Sequence, residues 1–377
     1  MALTDRFDRV RLRSSELRVS EVDLRRVARV EKPLEKAARE TLREVAAFAR
    51  ASRPQNWGYI NGHGAYVGEK FDPLRRVGIY IPGGTFPLVS TVFMTVALAR
   101  VAGVKEVVVC TPPPISQSLL WALKMCGVRE IYRIGGAQAM AAMAYGTRTI
   151  RSVDKLFGPG NIYVTEAKRQ LFGTVGIDLL AGPSELMVLA DESTRIDWAA
   201  CDLLAQAEHG SGRERIFCVS FSGKVLRAIE QRFQKRAAFC EKNKGLKQVL
   251  KYGCWFIQTK DRDQMVEVTN RLAPEHLQIM VRRPEQLAAR IGTAGGIFLG
   301  NYTPTVLGDF VAGPSHTLPT MGAGHAMSGL RISDFIRRTS VIKYAPKSLI
   351  KASNGVKAFA QAEDLPVHGV SLAIRCH

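Results

Sequence analysis

The stretch Cys201-Asp-Leu-Leu-Ala-Gln-Ala-Glu-His209 offers a carboxylate, an amide and an imidazole at helical spacing. In a helix, Asp202, Gln206 and His209 share one face, and Ala200, Leu203, Leu204 and Ala207 supply an adjoining apolar stripe. Thr194 followed by Asp197 is a helix start of capping-box type. Such a polar face can simply point at water; a metal site needs a His plus oxygen ligands converging from elsewhere in the chain. Ala273-Pro-Glu-His276 sets a carboxylate beside an imidazole, a pairing that provides a general base and a general acid in one place, or else a surface Glu next to an unrelated His. Asp309 follows Gly308 and precedes Gly313-Pro-Ser-His316-Thr-Leu-Pro319, and Glu363 and His368 stand in the C-terminal tail. His63, His325 and His377 lack a comparable setting and are expected at the surface.

The elements that must position these residues alternate. After a charged, helix-rich stretch over 1–55 and a Gly- and Asn-containing connection from Gln55 to Lys70, Val77–Ile81 is a strand. Pro82-Gly-Gly-Thr85 is then a tight turn and Ser90–Val101 an apolar helix. Strands at Glu106–Cys110 and Glu130–Ile134 follow, with helices at Leu119–Cys126 and Ala137–Tyr145, the pattern of a parallel sheet with crossover helices. A second series has strands at Leu186–Leu189, Ile216–Phe221, Gly253–Gln258, Gln278–Val281 and Gly295–Gly300. The chain ends in a helix and a short strand-like segment, Ser371–Ile374. No G-x-G-x-x-G or G-x-x-x-x-G-K-[ST] occurs, so neither standard nucleotide fingerprint is present. Gly83-Gly84 and Gly135-Gly136 each lie between a strand and a helix, where free N–H groups can hold an anion; ordinary turn glycines would look the same.

A formal charge of +19 would suit a nucleic-acid or membrane-surface binder, but the basic residues are dispersed and not interleaved with aromatics, which makes nucleic acid an unlikely partner. The apolar window around Val89–Val104 is broken by Arg100 and Gly103, too short for a membrane span, and no signal peptide is evident. Seven cysteines without a C-x-x-C indicate reduced thiols in a cytoplasmic setting, and Cys110 and Cys218 sit in apolar context as small buried hydrophobes.

The runs VGIYIPGGT, IYRIGGAQAMAAMAYG, VDKLFGPGNIYVTEAKR, IDLLAGPSE, DLLAQAEH, APEHL, GIFLGNYTPTVLGDF, AGPSHTLPT and EDLPVH resemble the histidinol dehydrogenase family, in the family's order from about residue 5 to the end. The resemblance implies an α/β fold of two incomplete Rossmann-like domains with parallel sheets, plus a C-terminal dimerisation tail. The domains would be 1–75 with 185–346, carrying the metal and catalytic residues, and 76–184, holding NAD; the tail, 347–377, would complete the partner's site. It further implies oxidation of L-histidinol to L-histidine through a bound aldehyde, with two NAD+ reduced, in the last steps of histidine synthesis. By the same resemblance Gln206, His209, Asp309 and His368 are Zn2+ ligands, and Glu275 and His276 are the acid–base pair. Ser184, His316 and Glu363 contact substrate, together with the ligand residues and His276, while Tyr80, Gln138 and Asn161 hold NAD. The family forms an intertwined homodimer with shared sites. Two features depart from it: N-terminal helices usual in the family have no counterpart before Met1, and the sequence is basic, with a pI near 9.9. Rival readings are a related zinc- and NAD-dependent dehydrogenase of another polyol, such as a sulfonated propanediol, and a non-catalytic basic nucleic-acid-binding paralogue.

Overall fold

A computed structural model describes residues 2–83, 88–209, 211–240 and 244–376. Gly84 and Thr85 of the expected turn, and His377, lie outside the described residues.

The stretch 55–70, expected to be a plain connection, holds a β-hairpin. β1 (Trp57–Ile60) pairs antiparallel with β2 (Tyr66–Pro73). Between them the Asn61 side chain accepts the N–H groups of His63 and Ala65, a local turn of the kind Asn favours. The strand character comes from Trp57, Tyr59, Tyr66 and Val67, and was masked by the Gly and Asn residues around them.

The next five strands, β3 (Arg76–Tyr80), β4 (Glu106–Thr111), β5 (Glu130–Arg133), β6 (Lys155–Phe157) and β7 (Gly176–Ile177), form a parallel sheet of order β5-β4-β3-β6-β7. β3 is buried throughout: Val77–Tyr80 form the apolar run expected of a strand covered on both faces, and Arg76 at its start is paired with Glu106 and Glu130. A second parallel sheet follows, with β8 (Glu185–Ala190), β9 (Arg215–Ser220), β10 (Cys254–Gln258), β11 (His276–Met280) and β12 (Gly296–Leu299) in the order β10-β9-β8-β11-β12. In each sheet the first strand is central and the order reverses beside it, the doubly wound arrangement of Rossmann-like folds. β13 (Ile336–Lys343) then returns to pair antiparallel with β2, closing the small three-stranded sheet.

Helix Lys32–Ala51 buries Ala38, Val45 and Ala49 in one core with Val92, Val96 and Leu98 of helix Val89–Ala102 and with Val77 and Ile79 of β3. By packing, this N-terminal segment sits with the first sheet. Pro346–Ala362 and Pro366–Ala373 form two helices in the tail, which corrects the strand-like reading of 371–374. Pro366 stands in the first turn, where its missing N–H costs nothing, and the short apolar run after it has no period that separates strand from helix. No helix among the described residues is long and apolar enough to cross a membrane.

Candidate active site

Helix Arg262–Leu272 ends with Ala273 in the left-handed region (φ 47°), its N–H bonded to the Thr269 carbonyl, and Pro274 prevents the helix from continuing. The chain therefore turns sharply, and Glu275 and His276 arrive at the N-terminal start of β11, both buried at 5% exposure. Register places His276 opposite Leu186, so Glu185 lies alongside the pair. Its backbone holds both members: the Glu185 N–H donates to Glu275 Oε2 at 2.8 Å, and the Glu185 carbonyl lies 3.0 Å from His276 Nδ1. A carbonyl only accepts, so Nδ1 carries a proton in either charge state, and Nε2 is the nitrogen that gains or loses the second proton. Nε2 faces Asp309 Oδ1 at 3.9 Å, while Glu275 Oε2 lies 3.5 Å from Nδ1. Burial pulls the His276 pKa down, but the Glu275 and Asp309 carboxylates and the Glu185 carbonyl outweigh it and push it up to about 9. Glu185 is itself buried; burial pushes its carboxyl up, against the Met321 N–H at 3.1 Å and Arg215 at 3.6 Å. Sequence reasoning missed Glu185 and Arg215, although Glu185 directly follows Ser184.

Asp309 sits in the short helix Val306–Phe310 and accepts at its backbone carbonyl from His316 Nδ1 at 3.0 Å. Nε2 of His316 is 3.5 Å from Thr91 Oγ1, in the first turn of the helix that leaves β3. Burial holds the His316 pKa down, so this ring is neutral and takes the Thr91 hydroxyl as a donor. A line of contacts thus runs Thr91–His316–Asp309–His276 and joins the C-terminal edge of the first sheet to the N-terminal edge of the second.

Helix Ile196–Ala207 returns the chain from the C-terminal to the N-terminal edge of the second sheet, the edge that carries Ser184, Glu275 and His276. Asp202 on this helix accepts from Gln278 Nε2 at 2.8 Å, and burial raises the Asp202 pKa. Gln278 shares a strand face with His276, and Gln206 is one helical turn beyond Asp202 toward that edge. Gln206 is 4% exposed, and its Nε2 is buried without a hydrogen-bond partner. The expectation that Asp202, Gln206 and His209 line one helix face needs correcting. The helix ends at Ala207, and His209 stands in an exposed turn, its N–H 3.4 Å from the Gln206 carbonyl. Thr194 is not the helix cap either. It accepts from the Asp191 N–H and donates to the Met280 carbonyl, tying β8 to β11, while Arg195 begins the helix with no side-chain cap.

Ser184 is half-buried just before β8. Glu363, the cap at the end of helix Pro346–Ala362, and His368, on helix Pro366–Ala373, are both exposed. Among the described residues no trio of His, Cys, Asp or Glu is close enough to hold a metal ion. At the C-terminal edge of the first sheet, the Tyr80 hydroxyl accepts the Gly136 N–H at 3.1 Å, and Gln138 follows in the first turn of helix Gly136–Tyr145. Asn161 caps helix Ile162–Leu171, its Oδ1 accepting the N–H groups of Tyr163 and Val164. The three therefore ring the strand ends where doubly wound sheets bind nucleotides.

A family model described as histidinol dehydrogenase matches residues 1–376. The chain belongs to the histidinol dehydrogenase family. It is 41% identical over 382 residues to a histidinol dehydrogenase of Cereibacter sphaeroides, covering 99% of this chain and 87% of that one. It is 40% identical to that of Geobacillus kaustophilus over 378 residues, with 99% and 88% covered. The crystal structure of histidinol dehydrogenase from Elizabethkingia anophelis superposes with a TM-score of 0.95 at 32% identity, covering 99% of this chain and 87% of that one. A gamma-glutamyl phosphate reductase from Thermotoga maritima, at TM-score 0.51 and 14% identity, shares the fold alone. A zinc ligand at Gln206 would be its amide oxygen; the unpartnered Nε2 is an N–H donor, which calls for an acceptor rather than a metal. Tyr80, whose hydroxyl steadies Gly136, and the helix start beside it fit a dinucleotide's floor.

Proposed function

We propose that this chain oxidises L-histidinol to L-histidine by way of histidinal, reducing two NAD+, as the last steps of histidine synthesis in the cytoplasm. The observation that carries the reading is the buried Glu275–His276 pair, tied through Asp309 and His316 to the nucleotide-binding edge of the first sheet. Gln206, His209 and Asp309, with His368 of the partner subunit, would hold Zn2+, which when bound would fix the imidazole and amine of the substrate. Ser184, His316 and the partner's Glu363 would complete the substrate's surroundings. Tyr80, Gln138 and Asn161 would hold NAD+, the acceptor of each hydride.

His276 Nε2 takes the hydroxyl proton as the carbinol carbon loses hydride. The Glu185 carbonyl keeps the neutral ring in the tautomer with Nε2 free; because the nearby carboxylates favour the protonated ring, this step draws on the neutral fraction and gains as pH rises. Glu275 then takes a proton from water as the water oxygen bonds to the aldehyde carbon, and His276 returns its proton to the former carbonyl oxygen, giving the hydrate. The neutral His276 ring next takes a hydroxyl proton of the hydrate as the second hydride leaves to NAD+. The carboxylic acid so formed ionises to the carboxylate of histidine, and His276 and Glu275 release their protons to solvent. Burial of both side chains limits competing water.

A homodimer with shared sites is supported by the tail, where Phe359, Val367 and Val370 are 71%, 74% and 57% exposed, an apolar face unsuited to solvent. The cysteines Cys110, Cys126, Cys201, Cys218, Cys254 and Cys376 are free thiols, which suits a reducing compartment. The test is NADH formation with L-histidinol before and after chelation. Two NADH per histidine formed, abolished by chelation and restored by zinc, is the expected result; no histidinol-dependent NADH from folded, zinc-supplied protein would refute the reading.

A further inference from the structure

The first sheet contains a buried ion pair that none of the chemistry above uses. Lys168, on helix Ile162–Leu171, and Asp178, just past β7, are in direct contact, with side chains 3% and 1% exposed. Desolvating two charges costs several kcal/mol each, so such a pair is an inefficient way to stabilise a fold. Its remaining bonds converge on one residue, Gly158. The Lys168 ammonium donates to the Gly158 carbonyl at 3.0 Å, and Asp178 Oδ2 accepts the Gly158 N–H at 2.7 Å. Both polar groups of a single residue are therefore held by one ion pair.

Gly158 follows the last residue of β6, beside the C-terminal end of β3, at the point where the strand order reverses. Its φ is 108°, and a Cβ there would stand 2.0 Å from the Tyr80 carbonyl oxygen, so the loop backbone lies directly on Tyr80. Three residues on, Asn161 starts the helix that carries Lys168. The helix thus reaches back, through its own lysine, to fix the loop that leads into it.

We propose that Lys168 and Asp178 are positioning residues for the dinucleotide: they lock Gly158 against Tyr80 and so set the floor of the NAD crevice and the place of Asn161. This rests on the reading that NAD binds at this edge. Neither side chain touches the nucleotide. Loss of the pair frees the Gly158 loop and weakens the nucleotide site, while the second sheet, which carries Glu275 and His276, is left alone.

The test is calorimetric titration of the full-length, zinc-loaded protein with NADH, and separately with L-histidinol, for wild type, Lys168→Met and Asp178→Asn. The expected result for folded variants is NADH affinity reduced by on the order of tenfold or more, the scale seen when a supporting partner of a bound group is lost, with histidinol affinity within about twofold of wild type. NADH affinity within twofold of wild type in folded variants would overturn the proposal, and so would equal losses for both ligands. Failure of both variants to fold would overturn it too, by assigning the pair to stability of the whole chain. Wild-type protein that binds no NADH would instead defeat the nucleotide reading on which the proposal rests.

Discussion

Glu185 acts on the Glu275–His276 pair through its peptide group, so its side chain can be removed without releasing either. Glu275, by contrast, must work as a carboxylate. Glu275→Gln keeps an oxygen that can accept the Glu185 N–H, and so preserves the local fold, but it cannot take a proton from water. Oxidation of supplied histidinal should fall about 10²-fold or more beyond any loss in the alcohol-oxidising half-reaction, the usual contribution of a general base. Single-turnover measurement of the two half-reactions checks this, and equal losses would make Glu275 a structural residue. The adjacent Glu-His pair was legible in the sequence because both members are neighbours in the chain. The contribution of Glu185 was not, because it is made by backbone groups, which any residue type carries. His209 shows the opposite failure: the helical period was extended two residues past Ala207, where no side-chain signal marks the end.

At the scale of elements, the two sheets use opposite edges. Strand ends of a doubly wound sheet normally present ligands at the C-terminal side. In the second sheet that side is stapled by Asp191, directly after β8. Its Oδ1 accepts from the Ser193 N–H and hydroxyl, and its Oδ2 from the Arg282 N–H and Arg262. Burial alone would raise its pKa, but these donors hold the carboxyl below its ordinary range. A group with a depressed folded pKa contributes stability above its unfolded value, about 4, and loses it as pH falls through the lower folded value. Asp191→Asn should therefore cost about 1–3 kcal/mol at neutral pH, the penalty for leaving buried donors unpaired. The gap between wild type and variant in urea unfolding should narrow below about pH 4; a gap unchanged between neutral and acid conditions would contradict the assignment. The parallel strands were readable because apolar runs such as Val77–Ile81 are bounded by Gly and Pro. The small antiparallel sheet was not, because β2 finds its partner β13 only after the whole of both α/β units has intervened.

At the scale of the molecule, the residues expected to act together are divided between a body and a tail. Gln206, His209, Glu275, His276 and Asp309 belong to elements that meet at one edge of the second sheet. Glu363 and His368 are carried by two helices whose apolar side chains face outward. The tail is rooted where Ser348 Oγ donates to the Gly64 carbonyl. The motif order along the chain showed the family, but a linear sequence does not say which copy of the chain a residue serves. His209→Ala and His368→Ala chains, each inactive alone, should decide this when mixed after reversible unfolding. In a shared dimer the two lesions fall in one site and leave the other intact, so activity should return to about a quarter of wild type with random pairing. No recovery in the mixture, under a protocol that restores wild-type activity, would show that His368 serves its own subunit and that the site is not shared.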